Sequence, residues 1–195
     1  MSQLLVSIAL SALSLAGADP YDVLVYGSTP GAVTAAVAAA RRGASVLLLD
    51  PAPRVGGMCS GGLGRTDRGN SIVIGGLAKE FFARNRRVYH PEIPLWKPMN
   101  TTRDVLDGFY LEPHVAEQLF LGMLCEANVT HLATKGAQVA AVTKAGARIT
   151  SVTLTDGSAH SAAIFVDGTY EGDLMARRCK LFTDPCCDPC CAFLK

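Results

Sequence analysis

The sequence predicts an α/β fold, a parallel sheet with an attached β-meander, and three observations lead there. Residues 21–50, YDVLVYGSTPGAVTAAVAAARRGASVLLLD, run from a short apolar stretch through an alanine-rich one to a second apolar stretch. From Val129 onward the pattern changes to short β-branched runs divided by turn signals. The chain holds 19 glycines and only 7% aromatic residues, which suits close packing of helix on sheet better than an aromatic-rich sandwich. Its 195 residues amount to about one domain, and 49% of them are apolar, enough for a packed core. A formal net charge of +1 provides neither a basic surplus for nucleic acid nor an acidic tail.

Tyr21–Tyr26 reads as a buried strand bounded by Gly27. Pro30 suits the first turn of a helix, and Gly31–Arg42 has high helix propensity, with Arg41 and Arg42 in its last turn and Gly43 as its stop. Ser45–Leu49 is a second buried strand, closed by Asp50 and Pro51. Two such strands joined by a helix are parallel, with a right-handed crossover. Residues 51–74 are glycine-rich and read as a long loop of the functional kind. Leu77–Val88 and Glu112–Glu126 read as helices flanking an irregular, proline-containing stretch at 89–109. Val129–Ala133, Gln138–Thr143, Arg148–Thr155 and Ser158–Val166 follow as strands, with Asp156-Gly157 as a hairpin signal and Ala163–Val166 as the final apolar strand.

The first 18 residues, MSQLLVSIALSALSLAGA, read as a signal peptide. Leu4–Leu15 is its apolar region, and Ala16-Gly17-Ala18 is a small-residue cleavage site that leaves Asp19 first, although no Lys or Arg precedes the apolar run. The run is short for a membrane span. The sequons at Asn100 and Asn128 are compatible with a secreted product. Of seven cysteines, five lie in residues 179–195, where Cys186, Cys187, Cys190 and Cys191 form CC-DP-CC. Metal sites of this kind draw on two separated pairs, and here Cys187 and Cys190 make one C-x-x-C without a second. The segment reads as an irregular tail whose disulfide state is left open, and no metal is assigned.

Residues 21–50 have the chemistry of a dinucleotide-binding, Rossmann-like unit. The first amides of a helix lack intrahelical partners and sit at its positive end, where a pyrophosphate fits. Gly27 permits the tight turn from strand to helix. In the G-x-G-x-x-G count the other two places hold Thr29 and Ala32. Ala suffices where close packing is needed, but Thr29 crowds a phosphate unless the loop bulges, a freedom Gly31 can supply. Asp50 stands 23 residues after Gly27, near the spacing at which an acid takes the ribose hydroxyls. A second glycine cluster follows: Arg54-Val55-Gly56-Gly57-Met58, then Ser60-Gly61-Gly62-Leu63-Gly64.

At this point the chain resembles FAD-dependent oxidoreductases with the glutathione-reductase-like flavin fold, a group related to the flavoprotein subunit of heterodisulfide reductase. Four stretches carry the resemblance: VLVYGSTPGAVTAAVAAARRG (23–43), LLLDPAPRVGGMCSGGLGRTD (47–67), FYLEPHVAEQLF (109–120) and ITSVTLTDGSAHSAAIFVDGTYEGDLMA (149–176). The Gly-Ser-Thr-Pro-Gly variant is like that of the family, so Thr29 fits rather than spoils the pattern. The resemblance implies that Gly27, Ser28, Thr29, Pro30 and Gly31 surround the FAD pyrophosphate. It implies that Asp50 binds the adenosine ribose where relatives more often carry Glu. Arg54, Gly56, Gly57 and Met58 match the segment passing the ribityl chain and pyrophosphate. Val139 lies on the strand whose backbone meets the adenine, and Asp167, Gly168 and Thr169 on the strand end that returns to the cofactor. The activity implied is hydride exchange between flavin and an unidentified small-molecule substrate, with the catalytic residues unassigned.

Other residues weigh less. Cys59 has no second cysteine nearby in sequence to make a redox pair, His114 opens a helix and suits the surface, Arg65 and Asp67 are loop charges, and Trp96 suits a packing role. Tyr170 and Glu171 can reach cofactor or substrate. Three units are expected: the signal peptide 1–18, an incomplete FAD-binding domain 19–178 without its substrate domain, and the cysteine-rich tail 179–195. A nicotinamide-binding Rossmann protein and a non-catalytic secreted nucleotide-binding fold stay open as alternatives. Arg-x-Gly-Gly and the lack of a second G-x-G-x-x-G speak against the nicotinamide reading.

Overall fold

Strand β1 (Tyr21–Tyr26) is the axis of the computed structural model, which describes residues 21–67, 69–94 and 108–178. The expected signal peptide, Trp96, the Asn100 sequon and the cysteine-rich segment lie outside the described residues. β1 is parallel to β2 (Val46–Asp50) on one side and to β6 (Ala159–Asp167) on the other. β3 (Thr130–Ala133) extends the sheet in parallel beyond β2, and β4 (Val139–Ala145) and β5 (Arg148–Leu154) continue it antiparallel from β6, giving the order β3-β2-β1-β6-β5-β4. The expected parallel sheet and meander are both present.

The run expected at Ser158–Val166, with its apolar end Ala163–Val166, is one nine-residue strand, and it has two sets of partners. Ala159, His160 and Ser161 pair with β5, whereas the register from Ala162 to Asp167 pairs with β1. The strand changes neighbours without breaking.

Alternation along the central strands separates two cores. Val23, Val25, Val46 and Leu48 face helices α1 (Pro30–Ala40), α3 (Gly76–Tyr89) and α4 (Pro113–Glu126). Leu24, Tyr26, Leu47 and Leu49 face the other way, where Val139, Val152 and Leu154 of the meander pack on them. The meander therefore folds back over the parallel strands. α1 earns its place by its small side: Ala32, Val33, Ala36 and Val37, on one helical stripe, are all buried. It begins at Pro30, as expected, with Thr29 as its cap, and it ends at Ala40, so that Arg41 is its C-cap and not part of its last turn. The glycine-rich segment is not wholly irregular; it contains the one-turn helix α2 (Gly57–Ser60) and a 3₁₀ turn at Ser71–Val73.

Aromatic stacking and an ion network bind the helical layer. Phe81 of α3 lies on Phe120 of α4 with ring centroids 4.2 Å apart and planes 8° from parallel. Buried Asn85 donates to the carbonyls of Gly108 and Tyr110, which holds that chain segment for pairing with 64–66 through Leu111 N–H to Gly64 O at 2.9 Å. On the outer surface Arg41 grips Glu80 through two bonds of 2.7 and 2.8 Å, and Arg84 joins Glu80 to Glu126. α1, α3 and α4 are thereby tied at one edge.

Arg41 first, and then Arg84, hold the Glu80 carboxyl down from 4.5 to about 2. Because the folded state lowers this acid's pKa, the stabilisation is complete above about pH 4.5 and is lost as pH falls toward 2. Partial exposure screens the network, so its worth is on the order of 1 kcal/mol. Glu80→Gln should lower the melting temperature at pH 7 by a few degrees and flatten the acid limb of a melting-temperature-versus-pH curve between those values; an unchanged acid limb would count against the network.

Candidate cofactor-binding site

Three chain segments meet at the carboxyl ends of β1, β2 and β6, the edge at which open α/β sheets take ligands. The closest approach is between backbones. Gly27 has φ 103°, and a Cβ there would lie 2.9 Å from the carbonyl carbon and oxygen of Gly168. Gly168 N–H donates to Tyr26 O at 2.8 Å. A Cβ on Gly168 would in turn overlap the Ala32 side chain. Ala32, in the third place of the fingerprint, therefore packs directly on Gly168 and requires glycine there.

Thr29, the departure from the fingerprint, has a defined structural task. Its hydroxyl donates to Gly168 O at 2.6 Å and accepts the Ala32 N–H at 3.2 Å. It is at once the N-cap of α1 and a tie to the end of β6. Val33 N–H goes to Thr29 O, and Pro30 has no N–H. The Gly31 N–H in the first turn is left without a protein acceptor among the described residues. Gly31 is exposed, and a Cβ there would meet nothing nearer than Thr29 Oγ1 at 3.7 Å. The helix N-terminus is thus open to solvent at its one glycine.

The second segment is latched to the first. Gly56 N–H donates to Ser28 O at 2.7 Å. Gly56 has φ 108° and rests on the Phe120 ring, which comes within 2.5 Å of where a Cβ would stand. Arg54 pairs with Glu117 of α4 at 3.0 Å, and the same carboxylate accepts the Val55 N–H. Met58 is exposed, and its N–H donates to the Tyr170 hydroxyl at 2.8 Å. A side chain at Gly57 would collide with that hydroxyl. Tyr170, a minor candidate from sequence, therefore joins the second segment to the third. Cys59 is partly buried, and burial pushes its thiol pKa up, the opposite of what a reactive thiolate needs.

In the third segment the Asp167 carboxylate shapes its own turn. It accepts the Thr169 N–H and hydroxyl on one oxygen and the Met175 N–H on the other, and the Thr169 hydroxyl accepts the Asp173 N–H at the start of α5 (Asp173–Arg178). Val139 N–H is directed to the Tyr26 hydroxyl at 3.1 Å. Burial raises the pKa of Tyr26. Asp50 is 2% exposed, with Oδ1 accepting the Ala52 N–H and Oδ2 facing His131 Nε2 at 3.4 Å. Sequence reasoning missed His131: it lies 81 residues away, and only the adjacency of β2 and β3 brings it there. His114 is 65% exposed, Asp67 is exposed, and the Arg65 guanidinium stands 5.7 Å over the Tyr110 ring. None of these three belongs to the convergence.

A strand–glycine turn–helix with an open first turn, joined by a second glycine segment and a returning strand end, defines a dinucleotide-binding α/β protein. Residues 22–178 match the family described as FAD dependent oxidoreductase, and the chain belongs to that family. Among solved structures it is similar to the flavin-dependent brominase Bmp2, with 17% identity and a TM-score of 0.55 over 81% of this chain and 40% of that one. It is also similar to a variant of halogenase PltM in complex with FAD, with 13% identity and a TM-score of 0.51 over 82% of this chain and 36% of that one. At these identities the likeness concerns the fold. The chain spans two fifths or less of the length of these proteins. No curated protein matches the sequence. Family membership decides for FAD over the nicotinamide alternative.

The double role of Thr29 is open to a direct check. Thr29→Val keeps the shape but removes both hydrogen bonds, and should cost about 1–2 kcal/mol in urea unfolding. Thr29→Ser should recover most of that loss. A loss in Thr29→Ser with none in Thr29→Val would mean that the methyl group, not the hydroxyl, matters.

Proposed function

We propose that this chain forms the FAD-holding part of an oxidoreductase acting on a small-molecule substrate. The observation that carries the proposal is the open first turn of α1. Thr29 satisfies the Ala32 amide, the Gly31 amide faces solvent, and the space a Cβ would fill at Gly31 is empty. Neither backbone strain nor packing asks for glycine at this position, so the demand for it falls to a ligand that must approach the backbone. A pyrophosphate at a helix N-terminus is such a ligand.

The residues present fit FAD in this way. Gly27, Ser28, Thr29, Pro30 and Gly31 hold the pyrophosphate. Gly56, Gly57 and Met58 border its flavin side, with Arg54 held back by Glu117, and the adenosine end is directed toward Asp50. The Asp167 carboxylate is occupied within its own turn, so Asp167, Gly168 and Thr169 serve by closing the backbone around the pyrophosphate turn. Val139 has its N–H engaged by Tyr26 and meets the adenine through other backbone atoms. Bound FAD supplies the two-electron chemistry; these residues bind and orient it. The same reading places the chain in the secretory pathway, supported by the Leu4–Leu15 run and Ala16-Gly17-Ala18.

The full chain should purify yellow or, stripped of flavin, take up FAD with a rise in melting temperature. Gly31→Leu should weaken FAD by about tenfold or more, equivalent to at least about 1.4 kcal/mol, while leaving the melting temperature of the apo form unchanged. A chain that neither carries flavin nor responds to added FAD would sink this reading. Separately, Edman sequencing of the product secreted from a eukaryotic host should begin at Asp19; retention of Met1 in cell-associated protein would refute the secretory assignment.

A further inference from the structure

The triplet Asn128-Val129-Thr130 forms the turn from α4 into β3. α4 closes with Ala127 as its C-cap, and Asn128 follows at φ 57°, in the left-handed region. The Asn128 N–H donates to Cys125 O and the Val129 N–H to Leu124 O, both at 3.0 Å. These are the paired bonds that close a helix when a left-handed residue follows it, and glycine is the usual residue there because it has no Cβ to strain. Elsewhere among the described residues positive φ falls on glycine, save at Lys135. The turn thus asks for a left-handed residue, which glycine meets best, and not for an amide side chain. The Asn128 side chain is exposed and makes no hydrogen bond among the described residues. Val129 is buried in the helical core, and Thr130 is exposed again, its hydroxyl likewise without a bond among the described residues. The chain therefore presents the amide and the hydroxyl to solvent on either side of an anchored valine.

We propose that Asn128 is an N-glycosylation site of the secreted product. The inference rests on the secretory reading above. The co-substrate class is a lipid-diphosphate-linked oligosaccharide, presented by a lumenal transferase. Asn128 Nδ2 bonds to the anomeric carbon, the bond from that carbon to the diphosphate oxygen breaks, the lipid diphosphate leaves, and one amide proton passes to a base. Nothing is oxidised or reduced. Thr130 supplies the hydroxyl that makes the triplet an acceptor, and the residue between is not proline. The fold has room for the product. Thr130 pairs with Leu47 near the start of β2, at the amino ends of the parallel strands, whereas the cofactor segments meet at the carboxyl ends. A glycan on Asn128 therefore stands at the opposite end of the sheet from the nucleotide edge. β3 is also the outer strand, with no strand beyond it among the described residues. A bulky, hydrophilic group at its start hinders pairing of that edge with another sheet.

The test expresses the full chain in a eukaryotic secretory host and maps its peptides by mass spectrometry before and after a peptide N-glycosidase, which leaves aspartate where a glycosylated asparagine stood. The peptide holding Asn128 should be found only after digestion, with aspartate at that position; mapping by peptide keeps it apart from the Asn100 sequon. Asn128→Gly, which supplies the turn's usual residue, and Thr130→Val, which keeps the branched shape in β3, should each abolish the modification. Thr130→Ser should retain it. Where a variant is not secreted, the protein retained in the cell is digested and mapped in the same way. Conversion to aspartate that persists in Thr130→Val would be spontaneous deamidation, and overturns the proposal. A secreted product that begins at Asp19 and carries an unmodified Asn128 removes this inference alone. Cell-associated protein that retains Met1 and an unmodified Asn128 removes the secretory reading and this inference together.

Discussion

The nucleotide end of this protein depends on one steric condition: the turn after β1 and the end of β6 must touch through their backbones. Gly27 and Gly168 meet where neither can carry a side chain, and Ala32 packs against Gly168 from the helix. That contact makes β6 a neighbour of β1, fixes where α1 starts and brings Thr29 within reach of Gly168 O. A second glycine place in the fingerprint would provide room but no hydrogen bond. Threonine makes the opposite exchange: it gives up room beside the turn and gains a clasp across it. The room reappears two residues later, at Gly31.

The same edge is supported from both sides of the sheet. On the helical side Phe120 receives Gly56, stacks on Phe81 and so carries the second glycine segment on the packing of α3 against α4. On the meander side Tyr26 spans the layer, with its ring buried among Leu47, Leu49 and Val139 and its hydroxyl on the Val139 amide. Tyr170 then crosses between the second and third segments at their exposed rim. The three segments are thus not independent loops that happen to meet. Each is held by a residue belonging to another.

Features that depend on local chemistry were legible in the sequence. β1 has the bounds expected of it because its apolar run stops at Gly27, whose left-handed backbone ends a strand. α3 and α4 follow from apolar spacing, and the meander from its turns. The parts that could not be read require knowledge of distant neighbours. The two bonds of the Thr29 hydroxyl involve a partner 139 residues away. The burial of Asp50 beside His131 depends on β3 lying beside β2. The one-turn helix at Gly57–Ser60 sits in a stretch whose composition says loop, with Tyr170 meeting its Met58 amide. The partner exchange within β6 leaves no mark at all, because an apolar strand reads the same beside parallel and antiparallel neighbours.

That exchange has a consequence for the order in which the molecule assembles. The part of β6 from Ala159 to Ser161 belongs to a hairpin closed over a few residues, cheap in chain entropy and quick to form. The part from Ala162 to Asp167 must find β1 across most of the described chain, a closure that is slow and is rewarded only once the core behind it is packed. A single strand therefore joins the easiest step of folding to one of the hardest. The meander delivers β6 as a preformed edge, and the backbone contact at Gly168 is completed only when that edge docks. During synthesis the glycine turn after β1 must wait, without its counterpart, until the ribosome has passed residue 168.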